Sequence, residues 1–258
     1  MKTNQAFAIL QRAGGIRAAR IITENKKKLT WIKVLFMARQ LRCGMPVAKI
    51  IKQKWFYGLK FYTNKNTLDP RPDTETLVSE VITDCDDKSE KRILDLGTGT
   101  GCIICSLVKN IPDTYGVGID KSRGALRVAK RNVKTLGLNK KIKLLRTSFA
   151  KKHNYDTLFD IIVSNPPYIS IQDTRVNDAA KHDPKMALYA QNNGLAAYQA
   201  IAKNAKQWLT DGGKLYLEIG IGQGTEIKDI FIKNGWDLVR NAYDLSGTER
   251  VLVFRKAH

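Results

Sequence analysis

The segment Arg92-Ile93-Leu94-Asp95-Leu96-Gly97-Thr98-Gly99-Thr100-Gly101 decides the fold. Its first half is apolar and predicts a buried strand. Its alternating glycines predict a tight turn whose backbone N–H groups can approach a ligand closely. The apolar run that follows predicts a helix, whose N-terminus favours an anionic group. A strand, a glycine-rich turn and a helix in this order are typical of the first unit of an α/β fold.

Strand and helix patterns alternate from this segment to the end of the chain. The expected strands cover residues 92–96, 115–119, 142–146, 159–163, 214–219, 236–241 and 250–254. The expected helices cover residues 102–110, 122–136, 194–209 and 224–234, and a polar loop extends from Tyr168 to about Asn193. This alternation predicts a doubly wound, mostly parallel sheet. Two consecutive strands near the end predict that the last strand is antiparallel.

The chain before residue 69 has a different pattern. Residues 1–52 repeat apolar side chains every three or four positions, which predicts a small helical N-terminal domain with a break near Lys26-Lys27-Lys28. Residues 53–68 contain two strand-like runs around Gly58 and predict a β-hairpin linker. We therefore expect three parts: a helical domain at 1–52, a linker at 53–68 and an α/β domain at 69–258.

The basic charge is concentrated at the N-terminus. The chain of 258 residues has a formal net charge of +20, and residues 1–66 hold 15 Lys and Arg against one acid, Glu24. Such a region can bind nucleic acid or an acidic protein surface, or it can be a solvated basic face. There is no signal-peptide pattern and no apolar run of membrane-spanning length, so we expect a cytoplasmic protein with no membrane partner.

Cys102 and Cys105 have the spacing of some metal and redox sites. They lie within an apolar run directly after the glycine turn, which favours burial on a helix instead. Neither these cysteines nor the histidines form a recognisable ligand set, and we predict no metal site.

The glycine turn and a later acid, Asp120, indicate a nucleotide-like cofactor. Asp120 ends the second expected strand, where a carboxylate can accept hydrogen bonds from both ribose hydroxyls. This much fits NAD, FAD or S-adenosylmethionine equally. Two details favour S-adenosylmethionine. The glycines lack the two-residue gap of the dinucleotide fingerprint, and Asp95 can reach an ammonium group, which NAD does not have.

The segment Ser164-Asn165-Pro166-Pro167-Tyr168 ends the strand at 159–163. The prolines stiffen the chain and hold Asn165 in an extended conformation at the edge where α/β sheets bind ligands. The amide oxygen of Asn165 and the carbonyl of Pro166 could accept hydrogen bonds from one planar –NH2 group, with Tyr168 packed against its plane. The alternative is a rigid turn with a capping asparagine.

A helix is predicted to begin after Asp73, which can serve as its N-cap. It follows from the segment Asp69-Pro70-Arg71-Pro72-Asp73-Thr74-Glu75-Thr76-Leu77-Val78. Arg71, Asp73 and Glu75 could also line the entrance of a ligand site.

These motifs together resemble a class I S-adenosylmethionine-dependent methyltransferase. More narrowly, the segment 70–75, Asn165-Pro166-Pro167-Tyr168 and Gly247-Thr248-Glu249-Arg250-Val251 resemble the glutamine N5-methyltransferases of peptide chain release factors. The resemblance implies a seven-stranded, mostly parallel sheet and methylation of the glutamine in a Gly-Gly-Gln loop. The family usually has an aspartate near the adenine of the cofactor, and Ser148 stands at that position in this sequence. The next residue, Phe149, can stack on the adenine.

With the motifs, the resemblance implies three sets of site residues. The expected catalytic residues are Asn165, Pro166 and Tyr168. The expected S-adenosylmethionine-binding residues are Asp95, Gly97, Thr98, Gly99, Thr100, Gly101, Asp120, Ser148, Phe149 and Asn165, and the expected substrate-binding residues are Arg71, Asp73, Glu75, Asn165, Pro166, Pro167 and Tyr168. The expected partner is a release factor, with contact to RNA or the ribosome through the basic N-terminal region.

Two other functions fit part of the pattern. The exocyclic amine of adenine is also planar and conjugated, so an N6-adenine or other exocyclic-amine methyltransferase acting on DNA or RNA is an alternative. A base-recognition domain would support it, and the sequence shows none. The other alternative is a cofactor- or RNA-binding module without catalysis, which the intact Asn165 and glycine turn disfavour.

Overall fold

The computed structural model describes residues 1–26, 28–85, 89–173 and 178–257, so that Lys27 of the predicted helix break lies outside it. The helices are α1 (Thr3–Asn25), α2 (Trp31–Arg42), α3 (Val47–Ile51), α4 (Thr74–Thr83), α5 (Cys102–Asn110), α6 (Arg123–Thr135), α7 (Lys185–Leu188), α8 (Ala196–Asn204) and α9 (Gly224–Lys233). The strands are β1 (Gln53–Phe56), β2 (Leu59–Tyr62), β3 (Lys91–Leu96), β4 (Thr114–Ile119), β5 (Ile142–Leu145), β6 (Phe159–Ser164), β7 (Ile169–Ser170), β8 (Tyr189–Ala190), β9 (Leu209–Glu218), β10 (Trp236–Tyr243) and β11 (Glu249–Lys256).

Seven strands form the central sheet, in the order β10-β11-β9-β6-β3-β4-β5. The strands from β9 to β5 are parallel, and β11 and β10 are antiparallel at the edge. The chain leaves β3 towards β4 and β5 and then returns to β6 on the other side of β3. The carboxyl ends of β3 and β6 therefore flank the point where the strand order reverses, which is where open α/β sheets bind ligands. The predicted fold class, including the antiparallel last strand, is confirmed.

Apolar side chains cover both faces of this sheet. On one face α4, α5 and the hairpin β1–β2 contribute Leu77, Ile104 and Phe56 to a buried cluster, and on the other α8 and α9 contribute Tyr198 and Phe231. Cys102 and Cys105 are buried in the first of these clusters, as expected, and burial raises the pKa of both thiols. Helices on both faces explain why the strands are almost continuously apolar.

The N-terminal helices form a third apolar cluster of their own, which includes Leu10, Ile22 and Val34. Helix α1 bends at Gly15, whose φ of 83° is not helical. The hairpin is bound to the sheet region through Asn132 of α6, whose side chain accepts from the Tyr62 N–H (2.7 Å) and donates to the carbonyls of Tyr62 (2.9 Å) and Thr100 (2.8 Å). The three-domain division stays a prediction.

A buried ionic cluster connects α3 to the sheet region; we call Lys49, Asp69 and Asp183 the junction cluster. The Lys49 ammonium lies 3.0 Å from Asp69 and 2.8 Å from Asp183, and it donates to the carbonyls of Asn64 and Thr67. The side chains of all three residues are at most 7% exposed. This cluster fixes residues 64–69 and Asp183 against the helical region.

The structure corrects three details of the expected elements. The strand predicted at 214–219 begins earlier, at Leu209. Leu209 already pairs with Phe159 of β6, and a register shift then separates this pair from the regular pairing that starts at Lys214. The predicted polar loop contains the short elements β7, α7 and β8. Asp73 has helical backbone angles and makes no side-chain cap on α4. No helix in the described part of the chain has the length and apolarity needed to cross a membrane.

Candidate active site

A cavity of about 600 Å³ lies at the carboxyl ends of β3, β4 and β6. Its volume falls in the range of about 300–1,000 Å³ typical of small-molecule sites. The predicted site residues that line it are Arg71, Gly97, Thr98, Gly99, Thr100, Asp120, Ser148, Phe149, Asn165 and Pro167. One cavity therefore brings these predicted cofactor and substrate residues together.

Hydrogen bonds between the strand ends hold the two key segments side by side. Leu96 and Ser164 are register partners in β3 and β6, and the Ser164 hydroxyl donates to the Leu96 carbonyl at 2.7 Å. Gly97 and Asn165 follow these residues directly. The glycine turn and the Asn165 segment therefore leave neighbouring strands at the same level.

The glycine turn is bound to the end of β4. The N–H groups of Gly97 and Thr98 both donate to the Ile119 carbonyl at 2.9 Å. Gly97, Gly99 and Gly101 all have positive φ, between 55° and 78°. Because side chains strain this conformation, the turn needs glycine at these positions. Gly101 does not line the cavity, and a Cβ placed there would lie 3.4 Å from Ala129; it shapes the turn from behind.

Asp120 lines the cavity at the end of β4. Its carboxylate accepts from the N–H groups of Gly99 (3.0 Å) and Ser122 (2.8 Å). These bonds orient the side chain and leave lone pairs for further donors. Burial raises the pKa of Asp120, while the two backbone hydrogen bonds oppose this shift.

Asp95 lies beneath the glycine turn and is fully buried. Thr98 donates to its Oδ2 atom at 2.6 Å, whereas its Oδ1 atom has no hydrogen-bond partner among the described residues. Burial raises the pKa of Asp95 to about 7, and the charge of Asp120 contributes to this shift. Asp95 does not line the cavity itself. Its unpaired oxygen could nevertheless accept a hydrogen bond from a cationic group.

Ser148 and Phe149 follow β5 and line the cavity on the side of the glycine turn. A Cβ placed on Gly97 would lie 3.9 Å from the Phe149 ring, so the ring faces the turn. The Ser148 hydroxyl accepts from the Ala150 N–H at 3.2 Å, and Asn204 fixes the Phe149 carbonyl at 3.0 Å. An aromatic face and a hydroxyl suit a flat heterocycle.

Asn165 is half-buried and lines the cavity. Its Nδ2 atom donates to the Thr74 hydroxyl at 3.1 Å, and Thr74 begins α4. The bond directs the N–H side of the amide towards α4. The amide oxygen remains available to a ligand.

The residues after Asn165 are placed unequally. Pro166 is buried and does not line the cavity, whereas Pro167 does. Tyr168 lies outside the lining, and its carbonyl accepts from the Gln223 side chain at 3.1 Å. Burial raises the pKa of Tyr168 to about 12, so its hydroxyl group is neutral. The roles predicted for Pro166 and Tyr168 stay predictions.

The acids before and in α4 face away from the cavity lining. Arg71 lines the cavity and binds Asp183 of the junction cluster at 2.7 Å. Asp73 pairs with Arg250 of β11 at 3.0 Å, and the Glu75 carboxylate accepts from the Tyr57 N–H of the hairpin at 2.9 Å. Of the predicted ligand entrance only Arg71 lines the cavity, because the two acids are engaged by other elements.

Sequence reasoning missed Glu218, which ends β9 beside β6. Leu217 is the register partner of Ser164, so Glu218 and Asn165 follow paired positions. Glu218 is 1% exposed, and burial raises its pKa to about 7, while hydrogen bonds with Thr74 and Asn165 oppose this shift. The signal in the sequence was a single charge inside the apolar run Leu215–Ile219.

The sequence is similar to that of several curated proteins. A Methyltransferase small domain model matches residues 66–182. The release factor glutamine methyltransferase of Agrobacterium fabrum is 39% identical over 219 residues, which cover 83% of this chain and 75% of that protein. Its counterpart in Caulobacter vibrioides is 35% identical and covers 96% of this chain and 87% of that protein. The chain belongs to the release factor glutamine methyltransferase family. The resemblance read from the motifs is confirmed.

Three further similarities differ in extent. A bifunctional methyltransferase of Rickettsia felis is 35% identical, and the match covers 81% of this chain but only 45% of that protein. Among solved structures, the hMettl16 catalytic domain in complex with the MAT2A 3'UTR hairpin 6 has a TM-score of 0.62 at 17% identity, with 87% of this chain and 80% of that chain covered. A methyltransferase from Pyrococcus furiosus has a TM-score of 0.56 at 17% identity, with 88% and 98% covered. At these identities the two structures show a shared fold alone.

Proposed function

We propose that this protein transfers a methyl group from S-adenosylmethionine to the side-chain amide nitrogen of the glutamine in the Gly-Gly-Gln loop of peptide chain release factors. The observation that carries the proposal is the position of Asn165 directly across the β3–β6 pair from the glycine turn, with both opening into one cavity. The family to which the chain belongs supports the same substrate.

The residues around the glycine turn fit S-adenosylmethionine. Asp95 offers an unpaired, buried carboxylate oxygen that suits the ammonium group, and Asp120 has lone pairs left for ribose hydroxyls. Phe149 and Ser148 suit the adenine, so that Ser148 takes the place of the aspartate usual in the family. When bound, the cofactor supplies an electrophilic methyl group on a positively charged sulfur.

Asn165 supplies what the glutamine amide needs in order to react. An amide nitrogen is a poor nucleophile because its lone pair is delocalised into the carbonyl. An acceptor that binds the N–H groups orients this nitrogen and stabilises the positive charge that develops on it. The position of Asn165 in the cavity lining supports this role for its amide. The Pro166 carbonyl stays the proposed second acceptor. Most of the remaining rate acceleration would come from holding the reacting atoms in line.

Mass spectrometry of a release factor incubated with this protein and S-adenosylmethionine tests the proposal. We expect one added methyl group on the peptide that contains the Gly-Gly-Gln loop. DNA and RNA are incubated in parallel, and methylation of nucleic acid without methylation of the release factor would instead support the exocyclic-amine alternative. The formal charge of the N-terminal region makes contact with RNA or the ribosome a further proposal. A salt-dependent association with ribosomal RNA would support it.

Asn165→Ala is expected to lower kcat roughly 100- to 1,000-fold, the usual effect of removing one group that stabilises developing charge. S-adenosylmethionine binding should persist, because the glycine turn is unchanged. Asn110→Ala is the matched control, since the side chain of this exposed asparagine donates to a carbonyl of its own helix and lies outside the cavity lining. Near-normal turnover in Asn165→Ala with intact donor binding would refute the role of Asn165.

A further inference from the structure

Glu218 lies behind the Asn165 amide on the side away from the glycine turn. Strand β9 is next to β6, and the pairing of Ser164 with Leu217 puts Asn165 and Glu218 at the same level of neighbouring strands. Glu218 is 1% exposed, and its Oε2 atom has no hydrogen-bond partner among the described residues. A carboxylate oxygen without a partner in this position is costly to bury, which calls for a reason.

Thr74 connects Glu218 to Asn165. The Asn165 Nδ2 atom donates to the Thr74 hydroxyl at 3.1 Å, so the hydroxyl is an acceptor in this bond. A hydroxyl has one hydrogen to donate, and an ionised carboxylate only accepts. As hydrogen-bond donors to the carboxylate, Thr74 and Asn165 both lower the pKa of Glu218. The direction of the bonds therefore runs from the Asn165 amide through Thr74 to Glu218.

We propose that Glu218 is a positioning residue which, directly and through Thr74, binds the N–H groups of the Asn165 amide and thereby fixes its oxygen towards the substrate. This inference rests on the proposed function, since the fixed oxygen is the acceptor for the glutamine –NH2. An asparagine amide has nearly identical shape in its two flipped orientations. Without an acceptor-only group behind it, the amide could present its own –NH2 to the substrate, which would repel the glutamine N–H groups.

The ionised form of Glu218 is the one that imposes this orientation. A protonated carboxyl group can donate to the Thr74 hydroxyl, which would then compete with the Asn165 amide for that oxygen. Burial raises the pKa of Glu218 to about 7, so the switch between the two forms falls in an accessible pH range. The titratable and charged groups that act on Glu218 from the surrounding elements are Asp73, Cys102, Tyr168, Tyr198 and Arg250.

The test compares Glu218→Gln with a control variant at a residue that contacts the backbone of Glu218. Tyr198→Phe is the control, because the Tyr198 hydroxyl donates to the backbone carbonyl of Glu218 at 2.9 Å and leaves its carboxylate untouched. Initial rates are measured against pH with S-adenosylmethionine and release factor both saturating. We expect kcat of the wild type and of Tyr198→Phe to fall as the pH drops through about 7. At pH 8 Glu218→Gln should lose roughly 10- to 100-fold in kcat, by analogy with the removal of a group that orients a metal ligand, with little change in KM. Its kcat should no longer depend on pH in this range.

Thr74→Val supplies a second variant that leaves the carboxylate in place. It should lower kcat and weaken the pH dependence, and in the double variant with Glu218→Gln the two losses should not add. Additive losses, or a Glu218→Gln enzyme with wild-type kcat and pH dependence, would overturn the positioning role while release-factor methylation by the wild type still stood. Absence of methylation by the wild type would instead count against the proposed function.

Discussion

Buried acidic side chains occur in two regions of this molecule, and the two regions treat them differently. In the junction cluster Asp69 and Asp183 both lie within 3.0 Å of the Lys49 ammonium, and Asp183 also binds Arg71. At the carboxyl edge of the sheet, Asp95 and Glu218 are as deeply buried. Neither forms a salt bridge among the described residues, each retains an oxygen without a hydrogen bond, and burial raises the pKa of each to about 7.

The difference indicates what each charge is for. A buried acid that is paired within the protein has its desolvation cost offset in the folded chain and serves the structure. A buried acid without a cation is held at a cost until a positive group arrives. Asp95 lies beneath the proposed site of the donor ammonium. Glu218 lies behind the Asn165 amide, whose oxygen would face the substrate nitrogen on which positive charge develops. We therefore assign these two acids to the proposed binding and chemistry.

Lys49→Met should show the largest effect, because it removes the cation from the region where charges are paired. Two buried carboxylates would lose their common partner, which typically costs about 3–5 kcal/mol in the free energy of unfolding. Guanidinium unfolding curves measure this loss. Lys256→Met is the matched control: its pair with Asp211 has the same 3.0 Å separation but an exposed acid, so a change below about 1 kcal/mol is expected. If the two variants were equally stable, the buried ion pairs of the junction cluster would contribute no more than an exposed pair. The distinction drawn between the two regions would then fail.

Asp95→Asn tests the other region through ligand affinity. The variant keeps the shape of the side chain and removes the charge proposed to face the donor ammonium. Loss of a charged hydrogen bond corresponds to roughly 10- to 100-fold weaker binding of S-adenosylmethionine at pH 8. S-adenosylhomocysteine should be affected equally, since it retains the ammonium and lacks the sulfonium charge.

Calorimetric titration measures both ligands, and Asp113→Asn is the control because this acid is exposed in the loop after α5. In the wild type the affinity should fall as the pH drops through about 7, where Asp95 takes up a proton. Asp95→Asn should lack this dependence. Wild-type affinity in Asp95→Asn would mean that the ammonium binds elsewhere and that the unpaired charge has another use.

Local sequence patterns predicted the features that depend on neighbouring residues. The alternating glycines, the prolines after Asn165 and the acid after β4 each act within a few positions of a strand end, and the structure has them there. Because parallel strands end on one edge, their convergence on one cavity followed from the fold class. The bounds of β3, β4 and β6 agree with the expected strands to within one residue.

The features that sequence reasoning missed depend on contacts between distant parts of the chain. Asp73 was expected to cap α4, but Arg250 of β11 lies close enough to bind its carboxylate. Glu218 could be recognised as a charge in an apolar strand. Its position beside Asn165, however, depends on β9 lying next to β6. Lys49 looked like one of many basic residues in the N-terminal region, and only the packing of α3 against Asp69 and Asp183 shows that it is buried.

The last prediction concerns the stability of the unliganded protein and has a definite sign. The pKa of Asp95 is raised from 3.8 to about 7 in the folded state, so between these values the folded chain binds more protons than the unfolded chain. This lowers wild-type stability as the pH rises from about 4 to 7. Asp95→Asn cannot ionise, and its Tm should exceed that of the wild type by a margin that is larger at pH 8 than at pH 5. For a chain of this size, each kcal/mol in the free energy of unfolding raises the Tm by about 2–4 °C.

Asp113→Asn should show no such widening of the margin between pH 5 and pH 8. S-adenosylhomocysteine should raise the Tm of the wild type more than that of Asp95→Asn. A constant margin between pH 5 and pH 8 would mean that Asp95 is ionised in the folded protein without a ligand, and that the fold itself compensates its charge as it does in the junction cluster.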